Sequence, residues 1–368
     1  MTLEIPAHLL PRDGRFGSGP SKLRSQQIAR LAAPDSPLGT SHRQKPVRGL
    51  VASIRGQVAD LFNIPSGYEV ILGNGGASLL WDAITFCLVE SRPQAAVFGE
   101  FSGKVVKAIS RAPWIDSVDI RRSTPGGVAL CETAPGIDTY LYAHNETSTG
   151  ALSPVARFGG GEALTIVDAT SAAGGVSVDI GQTDLYYFSP QKNFGADGGL
   201  WLAIASPAVL ERIQKLTSER WVPDILNLQL AVNNSLKDQT LNTPAIATLL
   251  MIDEQLQWML EQGGLDAMAA RTERSSAAIY DWALKREDAT PFVAQAEYRS
   301  PVVATVDFDE TVDTAGVSKT LRHHGVVDID PYRSLGRNQL RIGTFPNVDP
   351  EDVEALLACL DWVIDSKR

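Results

Sequence analysis

The chain has 368 residues, with 33 Lys and Arg against 43 Asp and Glu, giving a formal net charge of −10. At 44% hydrophobic and 21% charged, it has the composition of a globular protein and cannot be disordered throughout. The acidic balance excludes nucleic acid as the main partner, since phosphate neutralisation needs clustered Lys and Arg. Cys87, Cys131 and Cys359 lie too far apart for metal-knuckle or redox spacing, so a reducing, cytoplasmic setting is expected. Met1 to Phe16 lacks the unbroken apolar stretch of a signal peptide, and no window reaches the roughly 18 apolar residues of a membrane span.

In chain order, short apolar strands alternate with helical patterns. Strands are predicted at 69–72, 95–98, 139–143, 164–167, 184–188 and 199–203, and helices at 77–88 and 104–111. That alternation predicts an α/β fold with a mostly parallel central sheet covered on both faces. From Pro207 the pattern turns helical, at 207–217, 243–262 and 265–285. It then gives strands at 302–308 and 339–342 and a terminal helix at 350–366. We divide the chain into a large domain, 17–255, and a smaller C-terminal α+β domain, 256–368, joined by residues 1–16.

Ligands of open α/β sheets bind beyond the carboxyl ends of the strands. The residues found there are Asn74–Ser78, Glu100–Phe101, Asn145–Thr147, Asp168 and Gln191–Lys192. Lys192 follows an apolar strand and a short turn. It is either a surface strand cap or a partly desolvated amine able to form a Schiff base with a carbonyl. Asp168 ends an apolar strand, where a carboxylate needs a partner. A helix N-cap is one reading, and a protonated pyridine nitrogen is the other. The loop 73–78 (GNGGAS) offers backbone N–H groups to a phosphate, or is a plain glycine turn. Phe101 could stack on a planar ring or belong to the core. Thr147 could bond a ring hydroxyl or a turn. His323–His324 has no third ligand at metal spacing and reads as surface, so no metal site is expected.

Several segments together resemble the fold-type I enzymes of pyridoxal 5'-phosphate (PLP) and, among these, the class-V phosphoserine aminotransferase family in its actinobacterial-like branch. They are FGSGPSKL (16–23), SHRQK (41–45), GNGGAS (73–78), FGEFSGK (98–104), HNETSTG (144–150), VDATSAAGG (167–175), SPQKNFG (189–195), LNTP (241–244) and QLRIGTFPNV (339–348). The resemblance implies that Lys192 carries the cofactor and moves the substrate α-proton. It implies that Asp168 bonds the ring nitrogen, Thr147 contacts the ring hydroxyl, and Phe101 takes a ring-stacking position usually held by Trp. Gly76, Ala77, Ser78 and Gln191 would hold the cofactor phosphate. Asn242 and Thr243 would reach that phosphate from a neighbouring subunit, which implies a homodimer with a shared site. His42 and Arg43 would bind substrate anions, and Arg341 the α-carboxylate.

The implied reaction exchanges glutamate and 3-phosphohydroxypyruvate for 2-oxoglutarate and O-phospho-L-serine in serine biosynthesis. 4-Phosphohydroxythreonine of pyridoxine biosynthesis is an open second substrate. Two departures stand out. Ala77 replaces an Arg common in the family, and Ser334-Leu335 replaces a His-Arg pair. Arg333, Arg337 and Lys45 are candidate substitutes. An alanine–glyoxylate-type aminotransferase is the alternative. A desulfurase is disfavoured by Gln191 before the lysine, and a nucleotide-binding oxidoreductase by Ser78 in the glycine loop.

Overall fold

A computed structural model describes residues 3–366. Helices α1 (Ser25–Leu31) and α2 (Lys45–Phe62) come first. The sequence reading missed α2, although Val47, Leu50, Val51, Ile54, Val58, Leu61 and Phe62 form its buried stripe. A proline in its first turn starts it and Asn63, at φ 44°, stops it. Then follow β1 (Glu69–Asn74), α3 (Ala77–Cys87), β2 (Pro93–Val97), α4 (Glu100–Ile109), β3 (Asp119–Arg122) and β4 (Thr139–Ala143). A short hairpin, β5 (Asn145–Glu146) and β6 (Ala151–Leu152), leads to β7 (Leu164–Asp168), β8 (Leu185–Phe188) and β9 (Leu200–Ala205).

These strands, the hairpin apart, form a seven-stranded sheet in the order β1-β9-β8-β7-β4-β2-β3. β9 runs antiparallel to both neighbours, and the remaining pairs are parallel. β3 went unread because its charged DIRR sequence hides an edge strand. Alternate strand residues face opposite layers. Val70, Leu72, Tyr142, Val167, Tyr186 and Phe188 pack with α2, whereas Ile71, Leu141, Ile166, Leu185 and Tyr187 pack with α3 and α4. Burial on both faces explains why the central strands read as unbroken apolar runs.

The second half holds α5 (Pro207–Glu219), α6 (Leu228–Ser235), α7 (Ile246–Glu261) and α8 (Gly264–Lys285). It continues with β10 (Ala289–Pro291), β11 (Val303–Phe308), α9 (Thr314–His323), β12 (Gln339–Gly343) and α10 (Pro350–Ser366). β10, β11 and β12 make a small antiparallel sheet. Its core gathers Ile5, Phe16, Ile279, Val306, Ile342 and Leu356. Residue 255 lies inside α7. α8 carries Met268 into the core of the large sheet and Ile279 into that of the small one. The expectation of a bare surface histidine pair needs correction: His324 is only partly exposed and accepts the Ile5 N–H at 3.3 Å, pinning the N-terminal segment.

Candidate active site

The parallel register brings the ends of β4, β7 and β8 together. Asp168 stands opposite Ala143 and Tyr187, and Lys192 follows β8 after a four-residue step. A cavity of about 220 Å³ opens there, lined by Gly76, Ala77, Ser78, Phe101, Thr147, Asp168, Gln191 and Lys192 among others. Eight of the candidate residues thus share one cavity.

Each wall has a local cause. α3 begins at this cavity without a side-chain cap. Its Ala77 N–H donates to Ser189 Oγ at 2.8 Å. The N–H groups of Gly76 and Ser78 find no partner among the described residues, which leaves a helix N-terminus for an anion. Asp168 takes the capping role, and its second oxygen faces an indole. Oδ1 accepts the Thr170 N–H at 2.9 Å, closing its own turn, and Oδ2 accepts the Trp81 indole N–H at 3.2 Å. Thr147 Oγ donates to Ser171 Oγ at 2.8 Å, and its carbonyl accepts Arg341 Nη1 at 3.0 Å. Beside them, fully buried Glu146 caps α4 by accepting the N–H groups of Phe101 and Ser102.

Lys192 is partly buried, and its Nζ donates to Ser18 O at 2.5 Å. Desolvation pushes its ammonium down to about 7. The Arg341 charge adds to that, while Asp168 and Glu146 oppose it. Burial thus favours the neutral amine, unlike a surface lysine. Gly19 lies against it: at φ 135°, with a Cβ there colliding with Lys192 Nζ, only glycine fits. Arg341 stacks over the Tyr332 ring at 5.1 Å, and Tyr332 meets Phe101 edge-on at 5.9 Å. Burial lowers the Arg341 value as well.

His42, Arg43, Asn242 and Thr243 do not line this cavity. They form a second cluster, where His42 Nδ1 lies 3.1 Å from Thr243 Oγ and Arg43 reaches Gln239 and the Leu241 carbonyl. Burial first, and the Arg43 charge second, lower the His42 value. Of the candidate phosphate ligands, Arg337 pairs with Asp307 and lies 4.7 Å over Phe292. Ser334 Oγ points to Glu100 at 3.4 Å.

The sequence reading passed over Trp81, Thr170 and Ser171. Trp81 sits one turn after Ser78 and so shares its face. Thr170 Oγ, Asn145 Oδ1 and Gln191 Oε1 are buried with no partner among the described residues. Orphaned polar atoms, an anion-ready helix end, an aromatic wall, a carboxylate and a neutral-leaning amine in one cavity fit a planar, phosphorylated aldehyde. The cysteines do not serve it: burial raises the thiols of Cys87 and Cys359 to about 11 and of Cys131 to about 12.

The class-V aminotransferase profile matches residues 133–329, and the chain belongs to that family of PLP enzymes. It is 54% identical, over 99% of its length and 98% of the relative's, to a putative phosphoserine aminotransferase of Mycolicibacterium paratuberculosis. It is 53% identical to the phosphoserine aminotransferase of Corynebacterium glutamicum, over 98% and 97% of the two chains. The fold matches a phosphoserine aminotransferase structure from Cytophaga hutchinsonii with a TM-score of 0.87 at 23% identity, covering 95% of this chain and 99% of that one.

Proposed function

We propose that this chain transfers the amino group of glutamate to 3-phosphohydroxypyruvate, giving 2-oxoglutarate and O-phospho-L-serine, the transamination step of serine biosynthesis. The observation that carries this is the Lys192 amine, held near neutrality beside Asp168 in a cavity closed by the N-terminus of α3. PLP, when bound, supplies a carbonyl that captures amines and a protonated ring that accepts electrons from the Cα–H bond.

The residues divide the remaining tasks. Lys192 anchors the cofactor, and as a free amine it takes the α-proton and returns it. Asp168 has lone pairs left for a ring N–H, which keeps that nitrogen protonated. The Gly76 and Ser78 N–H groups and Gln191 hold the cofactor phosphate, with Ala77 lining its seat while its own N–H goes to Ser189; Thr147 meets the ring hydroxyl and Phe101 one ring face. Arg341 keeps an unpaired buried Nε for the substrate α-carboxylate, which suits a planar fork. His42, Arg43, Asn242 and Thr243 serve the cavity of a second subunit, in a homodimer that works in the cytoplasm. The three free, buried cysteines agree with that compartment. The division at 17–255 and 256–368 with 1–16 stays our working description of the domains.

The test is a comparison of amino donors on the PLP-loaded protein. O-Phosphoserine should outperform serine and alanine by more than about tenfold in kcat/KM, since a dianion meets charged ligands. Equal rates with alanine would replace this reading by a general class-V transaminase. 4-Phosphohydroxythreonine in the same assay decides whether pyridoxine biosynthesis is served as well.

A further inference from the structure

Residues Phe16 to Lys22 form a strap between the small sheet and the lysine loop. At one end, the Gly343 N–H donates to Phe16 O at 2.8 Å and the Phe16 N–H to Val327 O at 3.3 Å. At the other, the Ser21 N–H donates to Gln191 O at 2.9 Å, and Ser21 Oγ donates to Lys192 O at 2.6 Å. Those carbonyls belong to the peptide planes on either side of the Lys192 Cα. One serine therefore holds both peptide planes beside the lysine, the second together with the Gly195 N–H, which donates to Lys192 O at 2.9 Å.

The next residue ties the strap to α10. The Lys22 side chain is 9% exposed, and its ammonium lies 3.3 Å from Asp349, 3.5 Å from Asp352 and 3.7 Å from Asp13. Asp349 and Asp352 flank Pro350, the first residue of α10. The Lys22 carbonyl accepts Asn347 Nδ2 at 3.0 Å, and Asn347 Oδ1 accepts Gln255 Nε2 from α7 at 2.7 Å. A buried ammonium among carboxylates holds its place strongly, because losing it strands the opposite charges.

We propose that Ser21 and Lys22 are positioning residues for the reaction: Ser21 aims Lys192, and Lys22 makes that aim follow the start of α10. This deepens the function proposed above and rests on the role of Lys192 there. A displacement of the small sheet and α10 relative to the large sheet reaches the amine through two consecutive residues.

The test uses PLP-loaded protein carrying Ser21→Ala, Lys22→Gln, Lys22→Arg or the pair Ser21→Ala with Lys22→Gln. Ser21→Ala should lower kcat roughly tenfold with little change in KM, the signature of a misaimed reacting group. It should also move the pH dependence of the bound cofactor's visible absorption band, because the lysine nitrogen shifts relative to the Arg341, Asp168 and Glu146 charges. Lys22→Gln should do the same, Lys22→Arg should restore most of the rate, and the pair should lose little more than Lys22→Gln alone. A folded Ser21→Ala protein with wild-type kcat and wild-type pH dependence of the band overturns the proposal, even if Lys22→Gln fails to fold. So does a lowered Tm with kcat unchanged. A wild-type protein whose band does not respond to glutamate instead overturns the functional reading beneath it.

Discussion

The two ends of this site are built differently. On the proposed reading, this chain's share of the cofactor-facing end is fixed by strand register and a helix N-terminus: Asp168, Lys192, Thr147 and Gly76–Ser78 converge on one cavity. The proposed substrate-facing end relies on long or exposed side chains, Arg341 from β12 and the rest from outside the large sheet. Arg341 is half-buried and stacked, but Arg43 is exposed, Arg337 is paired with Asp307, and Ser334 faces Glu100. Chemistry set by backbone survives loop change, whereas recognition set by loops can drift while the reaction stays the same.

Substitutions at the two ends should separate along that line. Lys192→Ala should erase the visible cofactor band and lower turnover by about 10²–10⁴-fold or more, measured by single-turnover absorbance. Residual borohydride trapping at full yield would place the carbonyl elsewhere. Asp168→Asn should cost about 10²–10³-fold in kcat while leaving cofactor occupancy nearly unchanged in a dialysis titration. Arg341→Ala removes a half-buried fork, so KM should rise by roughly 2 kcal/mol equivalent in both half-reactions. Arg43→Ala should cost only about fivefold, and should weaken phosphorylated substrates more than glutamate. Equal losses in both would make Arg43 a general carboxylate site and blur the contrast drawn above.

The smallest effect is a titration. In cofactor-free protein, acylation of Lys192 should rise through pH about 7. Arg341→Ala should move that midpoint up, because a neighbouring positive charge is lost, and Asp168→Asn should move it down. The folded value lies below that of an unfolded lysine, roughly 10.4, so the folded chain binds fewer protons between the two. The Lys192 contribution to stability is therefore least favourable below about pH 7 and improves as pH rises toward 10.

Legibility in the sequence followed the same division. Strands buried on both faces announced themselves, and with them the places where Asp168 and Lys192 emerge. α2 escaped because Arg48, Ser53, Arg55 and Gln57 interrupt its apolar stripe, which becomes visible only at a spacing of three and four. Trp81 escaped because a tryptophan beside Leu80 and Ile84 looks like packing until its indole N–H is seen on Asp168. The strap escaped for a different reason. Ser21 and Lys192 are 171 residues apart, and no local pattern records a contact between them.

The three sulfhydryls, each shielded inside the protein and each reluctant to ionise, carry a practical consequence. An alkylating dye or mild oxidant applied to the native enzyme should find nothing to react with. One cysteine introduced on α10 and another on the large sheet's outer face would thus take fluorophores cleanly in the otherwise natural chain. Distances between those labels, followed during turnover, would report whether α10 moves.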